Sequence, residues 1–417
     1  MSEQPTETAA PAKTIGVIGA GTMGSGIAQL AARSGARALL HDPLAEALQR
    51  GSARAREGLA KEAAKGKLST EEAAAAAARL EPVDTLDAMA ECELVIEAAP
   101  ERLELKHELY VRLAEIVSGE CVLASNTSSL LVTAIASVVP HPERVVGMHF
   151  FNPAPLMRLL EVVAGALSDE RSLMLADATG EAMGKTIIRA QDGPGFLVNR
   201  CNRPFGLEAL RLVQERITDI ETIDRIVRVE GGFRMGPFEL MDLVGIDTGF
   251  EISKSFYEQS FYEPRWRPSP ITSRYVAAGR YGRKSGRGYY DYSRDPHRPP
   301  DPDPSTGDAD AKAQPAPGGV LERIICQVIN ECAFALGEGV GSAEDIDTGM
   351  VLGLNYPRGP LAWADEIGLD HVLAVLDGLW EEYCEERYRA APMLRGLVRD
   401  GHLGHATGAG FFEYRPD

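Results

Sequence analysis

Two ionisable residues stand where apolar side chains would be expected. In "HFFNPAPLMRLLEVV", residues 149 to 163, His149 and Glu161 interrupt two runs that otherwise read as buried strand. A charge in such a setting is unfavourable unless it is paired. An imidazole beside a carboxylate has a definite chemistry: the acid fixes one ring tautomer and stabilises the imidazolium once it forms. That suits a base removing a hydroxyl proton while a hydride leaves the same carbon, help typically worth about 10²- to 10⁴-fold. From the two residues alone a second reading stands equally, a satisfied buried pair that only ties two strands together.

A second constellation lies near the start of the chain. "IGVIGAGTMGSGIAQLAARSG" places Gly19, Gly21 and Gly24 as G-x-G-x-x-G, with Ala20, Thr22 and Met23 between them, directly after a strand and opening a helix. Gly19 permits the tight turn, Gly21 lets backbone approach a pyrophosphate, and Gly24 allows close helix–strand packing. The helix N-terminus then offers free N–H groups to phosphates. Asp42 ends the next strand, where a carboxylate binds the ribose hydroxyls of NAD and repels the 2′-phosphate of NADP. The following "PLAEAL" offers no arginine to reverse that preference. NAD is therefore the expected cofactor; the alternative is a Gly-rich turn with Asp42 capping the helix after it. A third group, Ser125 to Ser129 of "LASNTSSL", ends another strand. A hydroxyl there either holds a substrate oxygen or caps a helix beginning near Ser129.

The elements that must carry these residues read as an α/β sheet. "KTIGVIG", "ARALLHD", "ELVIEAA", "CVLASNT", "RVVGMHF", "LLEVV" and "TIIRA" are strand-like, several apolar on consecutive residues as strands buried on both faces require. "EALQRGSARAREGLAKEAAKG" and "STEEAAAAAARL" between them read as helices. The alternation indicates a mostly parallel sheet. After "QDGPGFLVNR" only helical patterns follow, to "GRGYYDY" at 292. Residues 293–316 are rich in Pro and Asp and read as a solvated linker, with a second helical block over 317–417.

The two helical blocks, 192–292 and 317–417, align with each other. "GPFELMDLVGID" at 236 matches "GPLAWADEIGLD" at 359, and "EALRLVQERITDIETID" matches "ECAFALGEGVGSAEDID" at the same offset of 123. "YGRKSGRGYYDY" matches "LGHATGAGFFEY" after a single-residue gap.

Bulk properties exclude several partners. The formal net charge of −18 argues against nucleic acid or an anionic membrane surface. Six cysteines without a CxxC pair or clustered histidines give no reason to expect a metal site, and suit reduced thiols in a cytosol. Residues 1–12 have neither a basic start nor an apolar core and read as a disordered leader, not a secretory signal. No apolar run reaches the roughly 18 residues of a membrane span, so a cytoplasmic protein is expected.

Taken in order, "GAGTMGSGIA", "ELVIEAAPERLELK", "SNTSSL", "HFFNPAPLMRLLEVV", "DGPGFLVNR" and "GRKSGRGYY" resemble the L-3-hydroxyacyl-CoA dehydrogenase family over residues 13 to 292. The resemblance implies an α/β Rossmann-like NAD domain over 13–191, followed by two homologous all-α domains of the 6-phosphogluconate dehydrogenase C-terminal type. It implies interconversion of (S)-3-hydroxyacyl-CoA and 3-ketoacyl-CoA, with His149 as base and Glu161 as its orienter. By the same resemblance Ser128 and Asn199 contact substrate oxygens, and Ser128 and Asn152 lie near the nicotinamide. Glu101, Lys106 and Lys284 match cofactor-contacting positions, and Lys65 a CoA-contacting lysine. Lys65 belongs to a basic stretch with Arg50, Arg54, Arg56, Lys61 and Lys67, which reads either as a CoA phosphate site or as a solvated helix face. In the second helical copy Glu322 replaces Asn199 and Ala406 replaces Lys284, so it is expected to stand in for a partner subunit as an internal pseudo-dimer. Two other readings remain: a dehydrogenase of a free hydroxy acid or polyol such as carnitine or gulonate, and a non-enzymatic NAD- or CoA-binding protein.

Overall fold

The computed structural model describes residues 9–301 and 319–414. It divides into two compact units, the first ending at Phe196 and the second beginning at Leu197. Of the expected leader, residues 1–8 lie outside the described residues; Ala12 is buried and its N–H donates to Thr179 Oγ1 at 3.1 Å. Of the expected linker, 302–316 lie outside them, whereas Arg298 and Asp301 make ion pairs with Glu239 and Arg228.

The first unit is built on eight strands: β1 (Thr14–Ile18), β2 (Arg37–His41), β3 (Leu80–Val83), β4 (Leu94–Glu97), β5 (Val122–Ser125), β6 (Val145–Phe150), β7 (Leu159–Ala164) and β8 (Thr186–Gln191). They pair in the order β3-β2-β1-β4-β5-β6-β7-β8. All neighbours run parallel except β6 and β7, whose antiparallel register sets His149 directly opposite Glu161. The central strands β1, β4, β5 and β6 are buried along almost their whole length, which is why their sequences are continuously apolar. Strand β3 lies outside the expected set. It is four residues long, sits at the sheet edge and contains Pro82, which an edge position tolerates because no ladder donor is needed there.

Helices α1 (Thr22–Arg33), α2 (Ala45–Ala64), α3 (Thr70–Arg79), α4 (Leu103–Ile116), α5 (Val132–Ala136) and α6 (Glu170–Ala182) connect these strands. The core lies between α1 and the sheet, with Ile27, Leu30 and Ala31 packed beside Val17, Leu40, Ile96 and Met148. Helix α3 begins with a reciprocal capping box between Ser69 and Glu72.

The second unit is helical. Its first half holds α7 (Val198–Cys201), α8 (Arg203–Gln214), α9 (Ile220–Val229), α10 (Pro237–Val244), α11 (Ile246–Gln259) and α12 (Pro270–Ala277). The second half holds α13 (Val320–Gly337), α14 (Ala343–Leu354), α15 (Pro360–Ile367), α16 (Leu369–Tyr383) and α17 (Pro392–Arg399). The halves repeat at the level of single hydrogen bonds. Asp224 of α9 accepts from Phe238 N and Glu239 N at the start of α10, and Asp347 of α14 accepts from Leu361 N and Ala362 N at the start of α15. Asp242 holds Tyr289 N and Tyr290 N as Asp365 holds Phe411 N and Phe412 N.

Contacts between the halves are reciprocal. Arg200 Nε meets Glu331 Oε1 at 2.9 Å, and Arg323 Nε meets Glu208 Oε1 at 2.5 Å. At the offset of 123 these are the same two positions with the copies exchanged. All four side chains are buried, so each charge is held by its partner and not by water.

Candidate active site

The G-x-G-x-x-G loop has the local structure its residue types require. Gly19 adopts φ +95°, and a Cβ there would lie 2.6 Å from Ala98 O. A Cβ on Gly24 would fall 1.7 Å from Gly19 O, so the first turn of α1 closes on the loop only with glycine. Gly21 faces open space, and α1 starts on it without a side-chain cap. Free amides at an open helix N-terminus are a cradle for a pyrophosphate, so the residues present fit a dinucleotide. Asp42 Oδ2 accepts from Ala20 N at 2.8 Å and Oδ1 from Leu44 N at 2.9 Å. The carboxylate thus joins the end of β2 to the glycine loop, and α2 begins without a side-chain cap.

Glu101, Lys106 and Ser128 come together around one carboxylate. Glu101 Oε1 accepts from Thr127 Oγ1 at 2.6 Å, Ser128 N at 2.9 Å, and Ser129 N and Oγ at 3.0 Å. Burial alone would raise the Glu101 pKa; Lys106 at 3.3 Å and these donors outweigh it and hold the carboxyl below its ordinary value. Residues 127–129 therefore wrap an acid instead of capping a helix. The following helix, α5, starts at Val132, where Val132 N, Thr133 N and Thr133 Oγ1 donate to Asp192.

Sequence reasoning missed Glu97, which lies beneath this cluster. Fully buried at the end of β4, it accepts from Lys106 Nζ at 2.6 Å, Ser125 Oγ at 2.7 Å and Ala99 N at 2.7 Å. The signal was a carboxylate inside the apolar run "LVIEAA", the same kind of anomaly that singled out Glu161.

His149 and Glu161 meet across β6 and β7, with Nδ1 2.6 Å from Oε2 and both side chains buried. The imidazole packs 4.7 Å from Phe151 and 5.8 Å from Phe196, centroid to centroid. Donation from Nδ1–H to the carboxylate leaves Nε2 as the proton acceptor. Asn126 Oδ1 accepts from Phe150 N at 2.9 Å and ties the end of β5 to the same strand.

The other expected residues are spread more widely. Asn152 is exposed in the loop after β6, and Lys65 is exposed at the C-terminus of α2. Among the basic neighbours of Lys65, Arg50 pairs with Glu46 and Lys61 with Glu57, Arg54 donates to Ser25 Oγ and Arg56 to Leu80 O. In the second unit Asn199 is half-buried in α7, and Lys284 pairs with Asp247 at 2.6 Å.

A mostly parallel sheet with a glycine loop after β1, an aspartate just after β2 and a buried His–Glu pair where β6 meets β7 has the architecture of an NAD-dependent oxidoreductase with a Rossmann-like domain. The family description "3-hydroxyacyl-CoA dehydrogenase, NAD binding domain" matches residues 14–193, and "3-hydroxyacyl-CoA dehydrogenase, C-terminal domain" matches twice, over 195–292 and 318–414. The chain belongs to the 3-hydroxyacyl-CoA dehydrogenase family, and it acts on a CH–OH group with NAD as cofactor. It is 37% identical to 3-hydroxyadipyl-CoA dehydrogenase of Escherichia coli, over 94% of this chain and 98% of that one. It is likewise 37% identical to a 3-hydroxybutyryl-CoA dehydrogenase of Bradyrhizobium diazoefficiens, over 68% of this chain and 97% of the relative. The crystal structure of 3-hydroxybutyryl-CoA dehydrogenase from E. coli K12 superimposes with a TM-score of 0.88 at 34% identity, covering 94% of this chain and all of that one. Among the described residues no helix is long and apolar enough to cross a membrane.

Proposed function

We propose that the chain oxidises the 3-hydroxyl of an (S)-3-hydroxyacyl-CoA, and reduces the 3-ketone in reverse, with His149 as general base. The observation that carries this reading is the buried 2.6 Å contact between His149 Nδ1 and Glu161. With Nδ1–H donated to Glu161, Nε2 takes the hydroxyl proton, and the carboxylate stabilises the imidazolium that results. NAD⁺, held at the glycine loop and the N-terminus of α1, would supply the acceptor for the hydride of the same carbon. Ser128 and Asn199 hold the substrate oxygens, and the Glu101 carboxylate keeps the Ser128 backbone in place through its N–H. Lys65, exposed at the end of α2, meets the CoA phosphates as an electrostatic anchor.

The tandem helical copies act as an internal pseudo-dimer. The reciprocal pairs Arg200–Glu331 and Arg323–Glu208 support this, because a contact in which i meets j and j meets i is the pattern of an isologous dimer. Light scattering of the full chain should give a monomer, or a dimer formed through other surfaces. A dimer assembled through the first helical copies refutes the pseudo-dimer.

The reaction is tested by following NADH oxidation with acetoacetyl-CoA and then with a chain-length series of 3-ketoacyl-CoAs that includes a dicarboxylic acyl group, and NADH formation from NAD⁺ with free hydroxy acids. Turnover on thioesters with none on free hydroxy acids supports the assignment. Turnover on carnitine or gulonate alone overturns it.

A further inference from the structure

The loop that joins the His149 and Glu161 strands is held from behind by a buried amine. Lys185, in the turn between α6 and β8, donates from Nζ to Ala154 O at 2.5 Å and to Met157 O at 2.7 Å. Its side chain is buried, yet the hydrogen bonds go to backbone carbonyls and not to a carboxylate. The charged groups facing it come from two other elements, Arg33 of α1 and Glu62 of α2. Glu62 is itself engaged by Gln29 Nε2 at 2.7 Å and Arg33 Nη1 at 3.1 Å, and Arg33 Nη2 donates to Met183 O at 3.1 Å. Burial first, then Arg33, pushes the Lys185 amine down to about 8, with Glu62 opposing.

The same loop presses on the dinucleotide-binding helix. A Cβ on Gly26 of α1 would come 2.9 Å from Pro155 Cδ and 3.3 Å from Ala154 Cβ, so loop and helix are in direct contact. Leu156 N and Met157 N both donate to Pro153 O, which folds the segment into a tight turn and points its next carbonyls at the amine. Loss of the Lys185 donors would leave the 154 and 157 carbonyls short of partners in a buried setting.

We propose that Lys185 is a positioning residue for the reaction: its amine clamps loop 152–158 onto α1 and so sets Asn152 and the end of β6 relative to the bound dinucleotide. This rests on placing the reaction at His149. Lys185→Met keeps the stem and removes the donors. The variant should melt a few degrees below wild type, bind NADH about tenfold more weakly by fluorescence titration, and keep its KM for acetoacetyl-CoA within about threefold. NADH affinity within about twofold of wild type in a folded variant overturns the inference, as does an equal loss on NADH and acyl-CoA. If the variant does not fold, hydrogen exchange of residues 151–158 in the wild-type protein decides. Exchange corrected for intrinsic rate should quicken between about pH 7 and about pH 9, because neutral donors are weaker than charged ones; unchanged protection overturns the clamp. A wild type silent on every acyl-CoA would sink the reaction assigned above, yet the NADH titration and the exchange experiment would still read the clamp.

Discussion

Replacing Glu161 with glutamine tests the proposed chemistry with little change of shape. The side chain is fully buried, and its carboxylate lies 2.6 Å from His149 Nδ1, so an isosteric amide fills the same space between β6 and β8. If the amide presents its NH₂ to the ring, Nδ1 becomes the acceptor and Nε2 carries the proton, which removes the base. If it presents its oxygen, the tautomer survives but the imidazolium has no counter-charge. Either orientation forfeits most of a general-base contribution of about 10²- to 10⁴-fold. At about 1.4 kcal/mol per tenfold that is about 3–5 kcal/mol on the barrier. NADH consumption with acetoacetyl-CoA, and NADH formation in reverse, should show kcat falling by that factor in both directions, since the group that takes the proton one way returns it the other. KM should move by less than about threefold, because the substrate contacts are elsewhere. A folded Glu161→Gln enzyme with kcat within about threefold of wild type refutes the reasoning and leaves the pair as a tie between two strands.

Gly24→Ala places a methyl 1.7 Å from Gly19 O; soluble protein should lose NADH fluorescence binding, and retained affinity would mean that the loop relaxes freely. Asp42→Ala removes the acceptor of the Ala20 and Leu44 amides; if its carboxylate also binds the ribose as proposed, NAD affinity should drop about tenfold to a hundredfold while discrimination against NADP narrows, as paired titrations would read. Glu331→Ala removes the carboxylate that Arg200 and Arg265 share and leaves Arg200 to Glu338 and Arg265 to Glu263, so it should destabilise the helical unit by about 1–3 kcal/mol in chemical unfolding; a loss under about 0.5 kcal/mol would contradict this. Burial raises Asp224 to about 7, against its backbone and Tyr290 donors. Its contribution is therefore full below the ordinary carboxylate range and declines as pH rises through about 7. The melting difference between wild type and Asp224→Asn should be larger at pH 5 than at pH 8, and a constant difference would refute the sign.

What could be read from the sequence follows from how local each signal is. The strands that carry the site are buried on both faces, so their apolar runs stand out, and charges inside them are conspicuous; His149 and Glu161 were visible for that reason. Strand β3 was not, because a short edge strand with a proline lacks both the length and the pattern. The role of Glu101 as acceptor for residues 127–129 depends on two loops meeting across the ends of neighbouring strands, which spacing along the chain does not encode. Asp192 likewise caps a helix about sixty residues before it. Lys185 reads in sequence as an ordinary turn lysine, and only the carbonyls of a distant loop give it a task. The duplication was legible from its fixed offset, but the exchange of ion pairs between the copies required the packed unit.

That exchange has a consequence for how the protein behaves when dilute. Two separate subunits joined by the same contacts would part at low concentration, and each substitution would appear on both sides at once. Here the partners are tethered in one chain, so their association is intramolecular and set by an effective concentration that no dilution lowers. The halves also drift independently: Pro204 and Leu207 in the first face Gln327 and Asn330 at the matching positions of the second, around one shared hollow. A symmetric assembly could not have made those choices separately, nor placed Glu322 and Ala406 in one copy where the other has Asn199 and Lys284.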